Sequence, residues 1–153
     1  RAAHEHRGAA MVEIFQNCNV FNDAAFEDMT GRERREEMLI PLHDGQPIRF
    51  GADGHRGVVM GSDGQLRIVE VGDVGEDAIL VHDAQRDDPS LATALARLST
   101  DDHSPTPIGI FRDVERPVYD RLMSDQLEKA RSEQGEGDLA ALLHSGDTWT
   151  ISG

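Results

Sequence analysis

The chain has 153 residues, long enough for one domain with a real core, and its 38% apolar and 29% charged residues are ordinary for a globular protein. No window reaches the roughly 18 to 20 uninterrupted apolar residues of a membrane-spanning helix, and the opening "RAAHEHRGAA" lacks the apolar region of a signal peptide, so a cytoplasmic location is the default expectation. With 15 Lys and Arg against 29 Asp and Glu the formal charge is -14, which repels phosphate backbones and anionic membranes and sets nucleic acid aside as a partner.

Taken in chain order, "RAAHEHRG" reads as the last turns of a helix with Gly8 after it, so that the chain reads as beginning in mid-element. Residues 9–16, "AAMVEIFQ", are apolar at six of eight positions and predict a short strand buried on both faces. "NCNVFND" is then a loop at the carboxyl end of that strand, where open α/β sheets place their ligands. Asn22 or Asp23 is placed to cap a short helix through "AAFEDMT", with Gly31 as its stop, and "RERREEML", 32–39, reads as a solvated helix face with opposite charges three or four residues apart.

From Pro41 to Val81 the texture becomes β-rich. "PIRFG", "RGVVM", "LRIVEV" and "AILVHD" are short runs separated by glycine-bearing turns, which predicts a small antiparallel meander. Asp88 and Pro89 predict the start of a helix with Leu91, Leu95 and Leu98 on one face. "HSPTP" reads as a loop and "IGIFR", 108–112, as a strand. Pro117 opens the longest helix, with Val118, Leu122, Met123, Leu127 and Ala130 as its apolar stripe, and Asp138 caps a last short helix, "LAALLH". The closing "TWTI" is a strand or an extended arm. No internal repeat or low-complexity segment interrupts this order. The expected division is an α/β core piece over 1–43 and, over 44–153, a β-rich excursion followed by a helical region.

Residue chemistry alone leaves the function open. Cys18 is the single cysteine, so the chain holds no internal disulfide and no complete cysteine cage; any metal site on it needs ligands from another chain or segment. It is either a small hydrophobe at a strand end or a nucleophile beside a histidine. His4 and His6 lie two apart, a poor chelating spacing on a helix. His82 with Asp83, His43 with Asp44, and His55 are turn histidines lacking a second ligand at a diagnostic spacing. "GADGHRG" and "GSDGQ" share only their glycines with phosphate loops and read as hairpin turns, and no G-x-S-x-G elbow occurs.

"HRGAAMVEIFQNCNVFN" resembles the strand and cysteine loop of the β subunit of 2-oxoacid:ferredoxin oxidoreductases, in particular the 2-oxoglutarate:ferredoxin oxidoreductase group. "PIRFGADGHRGVVM", "VGEDAILVHDAQRDDPSLATALARL" and "PIGIFRDVERPVYDRLM" resemble the C-terminal half of the same subunit, and "GDLAALLHSGDTWTI" looks like its usual end. Several separate motifs in one order make the resemblance much more specific than any one of them.

The resemblance implies the C-terminal part of an α/β thiamine-diphosphate-binding fold, completed by an N-terminal half of the β subunit, with a small antiparallel β excursion and C-terminal helices. It implies an enzyme that oxidatively decarboxylates 2-oxoglutarate, forms succinyl-CoA from CoA, and passes electrons through a [4Fe-4S] cluster to ferredoxin, with an α subunit as partner. The family's pyrophosphate and Mg2+ motif, GDG followed further on by Asn, is missing here: no GDG occurs and the last asparagine is Asn22. No complete cofactor site is therefore expected on this chain, which should be inactive alone. Cys18 matches the family's fourth cluster cysteine, whose three companions come from the N-terminal region; Asn17 stands where the family often has proline. Pyruvate or another 2-oxoacid as substrate, and a stand-alone assembly or binding module without chemistry, are the alternatives.

Overall fold

A computed structural model describes residues 1–99, 103–151 and 153. It divides into two compact units, one of Met11–Glu115 and the other of Arg1–Ala10 with Arg116–Gly153. The architecture is mixed α/β, with a small parallel sheet, a small antiparallel sheet and C-terminal helices.

In the larger unit, two one-turn helices, α2 (Glu27–Thr30) and α3 (Arg35–Met38), lead into strand β1 (Leu39–Leu42). β1 pairs in parallel with β5 (Thr106–Gly109), Leu39 opposite Thr106 and Leu42 opposite Gly109. Between them lies the meander β2 (Arg49–Phe50), β3 (Arg56–Met60) and β4 (Leu66–Glu70), antiparallel in that order as the sequence predicts. Helix α5 (Ser90–Ala96) starts where Asp88 accepts the Ser90 amide at 3.2 Å, and it turns Leu91 and Leu95 inward. Alternation along β1 does the same for Ile40 and Leu42. These side chains join Ile48, Phe50 and Val58 in one buried cluster flanked by Leu66, Ile68, Leu80, Leu98 and Phe111.

Several expectations change. Residues 9–16 form no strand, and Met11, Val12 and Ile14 are 90%, 63% and 76% exposed. A strand is a pairing rather than a propensity, and none of the described strands pairs with this segment. The expected helix from Ala24 begins only at Glu27, because Ala24 sits at φ 59°. The helix expected over 32–39 shrinks to one turn because Leu39 onward is drawn into the parallel pairing. The run "AILVHD" contributes only an isolated bridge, Val81 to Pro47, flanked by bonds from the Ile48 amide to Leu80 and from the His82 amide to Gln46; it does not extend because the Leu80 amide donates to Val58 and the Gln46 amide to His43. Ile79 instead packs over Gly57, where a β-carbon would come within 2.7 Å of it. β5 lies two residues earlier than the predicted strand, within what reads as a proline loop.

In the smaller unit, α1 (Ala2–Glu5) is a single turn, α6 spans Tyr119–Gln134 and α7 spans Leu139–Leu143. Asp138 caps α7 as expected, accepting the Ala141 amide at 3.1 Å. The predicted stripe on α6 lies on a helix but is not buried: Leu122 and Leu127 are 53% and 54% exposed. Trp149 and Ile151 lie outside any strand and are exposed as well.

Candidate functional site

The segment "NCNVFND" folds into a closed loop because Asn and Asp side chains bond readily to nearby backbone. The Asn22 amide donates to the Cys18 carbonyl at 2.8 Å, in an isolated antiparallel bridge. One residue further out, Asn17 Nδ2 donates to Asp23 Oδ1 at 3.0 Å. The same oxygen accepts the Ala24 amide at 3.0 Å and so supports its positive φ. Val20 and Phe21 stand at the tip, 80% and 91% exposed.

Cys18 is half-buried inside this loop. The Phe21 amide foremost, with those of Val20 and Asn22, donates toward the sulfur and holds the thiol pKa below its ordinary value, against the opposing effect of partial burial. The ionised sulfur is the form that attacks electrophiles and binds metals. All the groups that lower this pKa are backbone amides and none is a histidine, which weighs against a cysteine–histidine nucleophile.

The histidines do not assemble a centre. His82 is 1% exposed, and its Nε2–H donates to the Ile110 carbonyl at 2.8 Å, the carbonyl being able only to accept. Among the described residues its Nδ1 has no hydrogen-bond partner. Asp83 accepts the Gln85 amide two residues on at 3.0 Å, as in a turn, whereas Asp44 accepts the Ala84 amide at 2.8 Å and ties two segments distant in sequence. His55 Nδ1 donates to the Ala52 carbonyl at 2.8 Å, while its Nε2 lies 3.8 Å from Glu37 and 3.9 Å from Glu70. Arg56 also approaches both carboxylates. His4 is exposed and His6 half-buried around the end of α1. Among the described residues no group of three or more His, Cys, Asp or Glu is placed to hold a metal ion. "GADGHRG" and "GSDGQ" connect β2 to β3 and β3 to β4, as hairpin turns.

The donor chemistry fits one ligand of an iron–sulfur cluster and no more. Such a cluster takes four thiolates, and the chain has one cysteine. The GDG and later asparagine that the resemblance would place at thiamine diphosphate and Mg2+ do not occur in this sequence.

No protein-family profile matches the chain, and no solved structure matches it. A curated relative does: the 2-oxoglutarate oxidoreductase subunit KorB of Mycobacterium tuberculosis is 47% identical over 153 residues. The chain is similar to part of KorB. The alignment takes in 99% of this chain and spans 40% of the length of KorB. No helix among the described residues is long and apolar enough to cross a membrane. What sequence reasoning missed at the cysteine loop is the Asn17–Asp23 bond and the amide donors at the sulfur. The signal for the first was present, an Asx residue at each end of the loop.

Proposed function

We propose that this chain is part of the β subunit of a 2-oxoglutarate:ferredoxin oxidoreductase, and that it acts within the assembled enzyme rather than alone. The observation that carries this reading is the 47% identity to KorB along 99% of the chain. The reaction converts 2-oxoglutarate and CoA to succinyl-CoA and CO2, and two electrons leave for ferredoxin. Bound thiamine diphosphate supplies the carbanion chemistry and a [4Fe-4S] cluster the one-electron relay. This chain's own share is the Cys18 thiolate, held among backbone amides as the fourth cluster ligand, together with surfaces for the rest of the β subunit and for the α subunit. A cytoplasmic location goes with this reading.

The exposure of Met11, Val12 and Ile14 supports the reading. A run that is apolar on both sides suits an inner strand of a sheet covered on both faces, completed by segments outside this chain. The same exposure weighs against a stand-alone binding module. The test is the iron content and electron paramagnetic resonance of the complete enzyme with and without Cys18→Ser. Loss of the cluster is expected; full iron and unchanged electron transfer would remove Cys18 from the ligand set. Turnover with 2-oxoglutarate against pyruvate and branched-chain 2-oxoacids decides the substrate, with 2-oxoglutarate expected to be fastest.

A further inference from the structure

We draw no further inference here: the strongest candidate, the exposed apolar stripe of Leu122, Met123 and Leu127 on α6, carries no proposal because nothing in the structure shows what covers it.

Discussion

Gly109 stands opposite Leu42 at the end of the β1–β5 pairing, at φ +122°, and a β-carbon there would lie 2.8 Å from the Leu42 carbonyl oxygen. Backbone strain and a backbone clash thus coincide at one residue. Gly109→Ala should destabilise the larger unit by about 2 to 4 kcal/mol, read as a lower urea midpoint. An unchanged midpoint would show that the parallel pair tolerates a side chain there.

The buried and exposed apolar residues should respond very differently. Leu95, 0% exposed within the core, should lose about 2 to 5 kcal/mol on replacement by alanine. Leu127→Ala on α6, at a position 54% exposed, should stay within about 0.5 kcal/mol in this chain. Thermal melts of the two variants, recorded together, test the contrast.

Val12→Asp and Ile14→Asp should each leave the stability of this chain within about 0.5 kcal/mol, since both side chains face water in it. On the function proposed above, the same changes in a full-length β subunit should prevent its recovery with an α subunit, because a charge would then enter a sheet interior. Normal recovery of both variants would show that 9–16 remains outside the enzyme's core.

Acid should remove a specific set of contacts. Asp63 has its pKa well below the usual carboxylate range, chiefly through its hydrogen bonds to Arg67, and hydrogen bonds from His103 and Ser90 chiefly lower those of Asp28 and Asp88. A carboxyl whose folded pKa is depressed contributes stability that is full above its unfolded pKa, about 4, and fades as pH falls through the folded value. Asp63→Asn should therefore lower the urea midpoint at pH 7, and the deficit should shrink steadily below about pH 4. Because Arg67 and Asp63 are half-exposed, added salt should narrow the same deficit. A deficit independent of both pH and salt would assign the effect to the turn's hydrogen bonds instead.

The antiparallel meander was legible because each hairpin carries its own instructions, alternating side chains and a glycine turn within one short stretch. Asp138 at the start of α7 was legible for the same local reason. β1 and its pairing with β5 were not, and β5 was placed two residues late, since the partners are more than sixty residues apart and both contain proline, Pro41 and Pro107. The apolar stripe of α6 was read correctly as a pattern, but a pattern does not say whether the covering surface lies in the same chain. At the cysteine loop, composition exposed the lone thiol and the family resemblance supplied a role for it. The amides around the sulfur and the bond from Asn17 to Asp23 are matters of three-dimensional closure that no spacing rule states.

Met11, Val12, Ile14 and Phe15 make an exposed apolar run that pairs with none of the described strands. Unpaired chain with exposed apolar side chains is what proteases and chaperones bind, so on this chain by itself the run is where cleavage should begin.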